Sequence, residues 1–179
     1  MDRVLVTGAA GFIGSQLSDR LQKRGLTVKG IDNFNNHLYT PELKVDRMKH
    51  FGLDIWGCDL KDEVKLEALL RDFKPDTIIH LAAMAGVRDS MGKEKSYHAN
   101  NIDATQNLID ICKQHLPETR IVYASTSCVY AGSPTPWTEG QESGKQLNAY
   151  GYTKWANECQ MQSSGLNTTG LRFFTVYGP

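Results

Sequence analysis

Short apolar, β-rich runs alternate with segments of helical periodicity along the whole chain. Arg3–Thr7 is a buried-strand pattern. Residues 12–24 carry Phe12, Ile13, Leu17 and Leu21 and stop at Gly25, which predicts a helix with a glycine end. Strands are predicted over residues 27–31 and 54–57. Residues 62–73 predict a helix with Val64, Leu66, Ala68, Leu69 and Leu70 facing inward, closed by Lys74-Pro75. A fourth strand over 76–80, a long helix over 97–115, a fifth strand over 120–124, a helix over 148–163 and a sixth strand over 168–174 follow. Strands alternating with helices call for right-handed βαβ units, hence an α/β fold with a doubly wound parallel sheet. Residues 33–41 and 131–146 are rich in Asn, Gly, Ser, Thr and Pro and too long for plain connectors, so they are expected to serve the site.

Composition narrows the function. The chain of 179 residues carries 20 Lys+Arg against 20 Asp+Glu, and the zero net charge removes the general electrostatic case for a nucleic-acid or membrane partner. With 40% hydrophobic residues it can fill one domain core. No run approaches the ~18 apolar residues of a membrane span. No signal peptide is expected ahead of the strand at Arg3. Cys58, Cys112, Cys128 and Cys159 are widely spaced, which suits a reducing cytosol. The histidines include no ligand-spaced pair, and no metal is expected.

Thr7-Gly8-Ala9-Ala10-Gly11-Phe12-Ile13-Gly14 joins the first strand to the first helix. Gly8 allows a tight turn, Gly11 a close backbone approach to pyrophosphate, and Gly14 the packing of helix on strand, while the helix N-terminus offers N–H groups to phosphate. Asp32, followed by Asn33, ends the second strand. A carboxylate there can accept both hydrogen bonds of an adenosine ribose and repel a 2′-phosphate, and no Arg or Lys follows within the next few residues, so NAD is expected rather than NADP. Asp59-Leu60 after the third strand would border the adenine or form a plain loop, and the small residues of Leu81-Ala82-Ala83 after the fourth would let the cofactor lie against backbone; the expected cofactor set also includes Phe12 and Ile13.

Tyr150 and Lys154 stand four apart at the start of a helix, on one face. A neighbouring ammonium and a cationic nicotinamide would both favour the phenolate of such a tyrosine. The spacing alone arises readily by chance. It gains weight from Ser125-Thr126-Ser127, where hydroxyl residues cluster at the carboxyl end of the fifth strand, the ligand-binding edge of an open α/β sheet.

These segments, with His80-Leu81-Ala82-Ala83 and the ending Leu171-Arg172-Phe173-Phe174-Thr175-Val176-Tyr177-Gly178-Pro179, occur in the order of the extended short-chain dehydrogenases/reductases. The chain resembles the NAD-dependent nucleotide-sugar epimerases and dehydratases among them. Gly30-Ile31-Asp32-Asn33-Phe34-Asn35 and Met84-Ala85-Gly86-Val87-Arg88-Asp89-Ser90 look most like the UDP-glucuronate 4-epimerase group. The resemblance implies a Rossmann domain over residues 1–179, with the family's substrate domain lying in later chain. It therefore implies NAD binding with poor turnover by these residues alone. It makes Tyr150 the base, Lys154 its partner and a binder of the nicotinamide ribose, Thr126 the catalytic hydroxyl and Asn101 a helix asparagine near the cofactor. Ser127, Cys128 and Thr175 would face the substrate, and Arg88 would hold an anionic group. The implied reaction is redox-neutral 4-epimerisation of a UDP-sugar.

Related dehydratases and decarboxylases carry acids after the catalytic threonine where this chain has Ser127-Cys128, which argues against both chemistries. Cys128 stands where the epimerases generally have serine; a small buried residue and a reactive thiol are its two readings. Ala131 replaces the usual glycine after Tyr130. The alternatives are an epimerase of neutral UDP-hexoses and an NAD-binding module without turnover. A homodimer through helices 97–115 and 148–163 is expected. Ile102, Leu108, Ile109, Ile111, Cys112 and Leu116 sweep a wider arc than one core face needs, and Trp155, Cys159 and Met161 add to it. The rival reading of that arc is a helix wedged between sheet and loops.

Overall fold

The structure, a computed structural model, describes residues 2–141 and 145–178. Six parallel strands form one sheet: β1 (Arg3–Thr7), β2 (Thr27–Asp32), β3 (Ile55–Gly57), β4 (Thr77–His80), β5 (Arg120–Thr126) and β6 (Thr168–Phe173). Their order is β3-β2-β1-β4-β5-β6. At the top of β1, Thr7 stands opposite Ile31 on one side and His80 on the other. The chain winds outward from β1 through β2 and β3, then crosses to β4. The reversal opens a crevice beyond the carboxyl ends of β1 and β4, where such sheets bind ligands. The predicted doubly wound fold is the one observed.

Leu5, Ile31, Ile78 and Ile121, one from each of β1, β2, β4 and β5, pack with Leu66 and Leu70 and with Leu108, Ile109 and Cys112. The first two of these helical residues belong to α3 (Glu63–Phe73), the other three to α5 (Ala104–His115). On α3, Val64 is 82% exposed and Ala68 is exposed too, against expectation. At 100° per residue, positions 64 and 68 stand 200° from Leu66, so the sheet that buries Leu66 and Leu70 turns them to solvent.

The first helix, α1 (Phe12–Lys23), buries Gly14, Ser15 and Ser18 against the sheet, leaving Phe12, Ile13 and Leu17 half-buried. Small residues are needed there because the helix starts almost on top of β1. A second helix, α2 (Pro41–His50), was not legible from apolar spacing: its one buried residue is Lys44. Its start signal was present, since Thr40 caps Leu43 N at 3.3 Å and Pro41 opens the first turn.

The expected helix over 97–115 is three pieces. A short α4 (Glu94–Tyr97) passes into a π-helical turn, His98–Asp103, before α5. That wide turn lets the carbonyls of Asn101 and Ile102 accept from Asn157 Nδ2 (2.8 Å) and Gln160 Nε2 (3.1 Å) on α6 (Ala149–Ser163). Leu108, Ile109, Ile111 and Cys112 are buried within one copy of the chain, with Leu116 packed against the same core. The wide apolar arc is therefore largely taken up within the chain, by the sheet together with α3 and α6. β5 runs through Thr126, two residues further than expected, pairing Ser125 with Arg172 and Thr126 with Phe173. The four cysteines are free. Among the described residues no helix is long and apolar enough to cross a membrane, and no cluster of His, Cys, Asp or Glu could hold a metal ion.

Candidate active site

Twelve of the sequence-predicted cofactor residues line a single cleft at the carboxyl edge of the sheet: Gly8, Gly11, Phe12, Ile13, Gly14, Asp32, Asn33, Asp59, Leu60, Leu81, Ala82 and Ala83. Gly8 has φ +70°, and a Cβ on it would lie 2.9 Å from Ala82 N, so the turn admits no other residue without strain. A Cβ on Gly14 would sit 2.2 Å from Gly8 O, backbone against helix. No side chain caps the first turn of α1, so its N–H groups stay available to an anion. A pyrophosphate fits this cradle.

Asp32 is buried at the other end. Its Oδ1 accepts from Phe34 N at 2.8 Å and Lys44 Nζ at 3.3 Å, and its Oδ2 from Ala10 N at 3.1 Å. Of the roughly four acceptor positions on a carboxylate, one is left on Oδ2, room for one ribose hydroxyl rather than both. Lys44, also within 3.4 Å of Asn35 Oδ1, was missed because it lies twelve positions beyond Asp32 on a helix that had not been foreseen. Asn33 Nδ2 donates to Asp59 Oδ2 at 3.0 Å, joining the two predicted loops. Asn35, His37, Leu38 and Tyr39 also line the cleft, as the composition of segment 33–41 had suggested. The other long segment, 131–146, stacks Trp137 on Tyr130 at 5.4 Å; its residues 142–144 lie outside the described ones.

The catalytic candidates gather one layer away. Tyr97 links the two regions: its hydroxyl donates to Ala85 O on the cleft wall at 2.8 Å, and its ring stands edge-on to Tyr150 at 6.4 Å. Burial pushes the Tyr150 phenol above its ordinary value; a hydrogen bond from Thr126 pulls the other way and Cys128 adds to the rise. Lys154 does not contribute the expected lowering. Its buried ammonium, pushed down to about 8 by desolvation, donates to Ala124 O at 2.9 Å.

Asn101 is fully buried and its amide is occupied: Oδ1 accepts from Met84 N at 2.7 Å, while Nδ2 donates to Met84 O at 3.0 Å and Thr153 Oγ1 at 2.9 Å. It braces the loop after β4 against α6 rather than lining the cleft. Ser127 and Cys128 are half-buried in the 3-10 turn after β5, where Thr126 Oγ1 caps the Cys128 N–H at 3.2 Å. Arg88 and Thr175 are exposed, and neither lines the cleft.

The sequence matches the NAD dependent epimerase/dehydratase family over residues 4–179. It is 42% identical to UDP-glucuronate 4-epimerase 4 of Arabidopsis thaliana, over 98% of this chain and 42% of that protein. With UDP-glucuronate 4-epimerase 1 of the same plant the identity is 44%, over 98% of this chain and 43% of the relative. Among solved structures, the UDP-glucuronic acid 4-epimerase of Bacillus cereus in complex with UDP-glucuronic acid and NAD superposes with a TM-score of 0.89 at 36% identity, covering 99% of this chain and 58% of that one. The UDP-Glc/GlcNAc 4-epimerase of Campylobacter jejuni gives 0.83 at 27%, covering 97% and 54%. The chain thus spans less than half the length of the plant relatives it matches.

Proposed function

Because this chain belongs to the NAD dependent epimerase/dehydratase family, we propose that it serves 4-epimerisation of a nucleotide sugar, UDP-glucuronate, with residues 1–179 as the NAD-binding domain. One observation carries the reading: twelve separately predicted residues line a single cleft, with Thr126, Tyr150 and Lys154 gathered beside its far wall. The relatives named for UDP-glucuronate support the choice of sugar.

When bound, NAD supplies an acceptor that can take a hydride from C4 of the sugar and give it back. Gly8, Gly11 and Gly14 admit the pyrophosphate to the N-terminus of α1, and Asp32 with Lys44 holds the adenosine ribose. Tyr150 takes the C4 hydroxyl proton and returns it after the sugar turns. Thr126 donates to the phenolate form, which is why it lowers the Tyr150 phenol. Lys154, cationic below about 8, binds the nicotinamide ribose. Asn101 positions the loop after β4, and Arg88, its guanidinium in no ion pair among the described residues, is available to the sugar carboxylate. Ser127, Cys128 and Thr175 border the sugar. A cytoplasmic homodimer through α5 and α6 completes the proposal; Tyr152 and Trp155 on α6 are 46% and 41% exposed.

The test is calorimetric titration with NAD, followed by a panel of UDP-sugars assayed for C4 inversion. Tight NAD binding with only slow inversion of UDP-glucuronate, and none measurable in Tyr150→Phe, is the expected result. Preference for a neutral UDP-hexose would replace the substrate. Unchanged inversion in Tyr150→Phe would reject the mechanism.

A further inference from the structure

We propose that Glu158 and Arg172 are positioning residues that clamp the end of β5 to α6 and thereby hold Thr126 against Tyr150. The proposal rests on the reading of Tyr150 and Thr126 as the reacting pair, and neither clamp residue lines the cofactor cleft.

Glu158 lies on α6 one turn beyond Lys154 and two turns beyond Tyr150. Its Oε1 accepts from the hydroxyl of Ser125, the residue before Thr126, and from Arg172 Nε at 3.0 Å. Its Oε2 accepts from Arg172 Nη2 at 2.9 Å, which closes a two-pronged fork. Both side chains are mostly covered, 18% exposed for Glu158 and 23% for Arg172. Arg172 comes from β6, where it is the register partner of Ser125. Its guanidinium lies over the Tyr130 ring at 4.6 Å, and Nη1 donates to Glu139 O at 3.1 Å.

One ion pair therefore joins the helix of Tyr150 and Lys154, the strand end of Thr126, the turn at Tyr130 and the loop at Glu139. Lys154 adds a parallel strut to Ala124 O, so the two residues before Thr126 are each bonded to α6. Strand ends fray when nothing ties them down, and a hydroxyl must lie within a few tenths of an ångström of its partner to bond. An exposed ion pair would do little here. A covered, bidentate one with every prong matched can fix that distance.

The groups facing Tyr150 are Thr126 and Cys128 from the end of β5 and its following turn, and Tyr97 from α4; Lys154 on its own helix turns instead to Ala124 O. A clamp acting through Thr126 must show in the titration of Tyr150. The measurement is the Cζ carbon shift of labelled tyrosine against pH, on the whole NAD-saturated chain, with Tyr150 assigned by its loss in Tyr150→Phe. Thr126→Val should raise the midpoint by about one pH unit, the size of one hydrogen bond to a charged group. Glu158→Gln and Ser125→Ala should raise it in the same direction by half that or more. Combined with Thr126→Val they should add almost nothing, because the same bond is already gone. Arg172→Lys, which keeps the charge and loses the fork, should move it less than Glu158→Gln. Ser125→Ala removes a single hydroxyl and decides the matter should Glu158→Gln fail to fold.

A midpoint unmoved in Ser125→Ala and in every folded Glu158 variant, with only the melting temperature lowered, would overturn the proposal. So would shifts that add fully to that of Thr126→Val. The titration needs no turnover. Coupled shifts in a chain that epimerises nothing would reject the function and keep the clamp.

Discussion

On the proposed reading, the choice of cofactor falls to Asp32 and Lys44. An unpaired carboxylate would repel a 2′-phosphate outright, but Lys44 Nζ at 3.3 Å, itself buried, offsets much of that charge. Asp32→Ala should weaken NAD about tenfold, the loss of one charge-assisted hydrogen bond of ~1.4 kcal/mol, and weaken NADP less or strengthen it, since Lys44 is released. Titrations with both cofactors check this, and equal NAD and NADP affinity in the unmutated chain would remove Asp32 from the selectivity. The proposed proton transfer has its own signature. Tyr150 must lose a proton that burial holds, and Lys154 must keep one that burial loosens to about 8. The inversion rate should climb from pH 6 to about 8 and flatten or fall above it, seen as a pH profile of kcat.

Each helix answers to what it packs on, and α3 shows how far periodicity carries. Five apolar residues were assigned inward, yet only the stripe of Leu66, Leu69 and Leu70 meets the core, because a helix in contact with one sheet buries about a third of its circumference. Leu66→Ala should cost about 2–5 kcal/mol and Val64→Ala less than about 0.5, read from urea midpoints. In α1 the usual benefit of replacing a helical glycine is reversed. Gly14→Ala gains about 1 kcal/mol of helix propensity, but its Cβ at 2.2 Å from Gly8 O forces the helix off the loop. A net loss of stability together with weakened NAD binding is expected, measured by denaturation with and without NAD.

His80 ties the assembled sheet to solvent pH. It is buried at the end of β4, bonded to Thr7 Oγ1 at 2.8 Å and Thr105 Oγ1 at 3.0 Å, and desolvation, with Lys154 nearby, pushes it down to about 3. Between the ordinary 6.5 and about 3 the unfolded chain binds a proton here that the folded chain refuses. Stability is thus fully present above 6.5 and falls as pH drops through that window. Urea unfolding from pH 7.5 to 4.5 should show this slope, and His80→Gln should flatten it by about one proton. For the proposed pairing of copies through α5 and α6, the exposed aromatic surface lies on α6, at Tyr152 and Trp155. Light scattering at micromolar concentration should give a dimer, and Trp155→Glu a monomer.

Local chemistry determined much of this protein without help from the tertiary structure. Alternating strands and helices enforce the parallel sheet, and Gly8, Gly11, Gly14 and Asp32 mark the cleft because only certain residues tolerate a tight turn, a close backbone approach or a ribose hydroxyl. Those requirements are satisfied within a few residues of chain, so they are written into its order. The fold alone decided the rest. Lys44 meets Asp32 across an unforeseen helix, Lys154 turns to the carbonyl of Ala124, and Asn101 bonds a loop 17 positions away. Glu158, Ser125 and Arg172 converge from a helix and two strands. Desolvation and hydrogen-bond geometry depend on what stands opposite, and that neighbour is fixed only when the sheet closes its register.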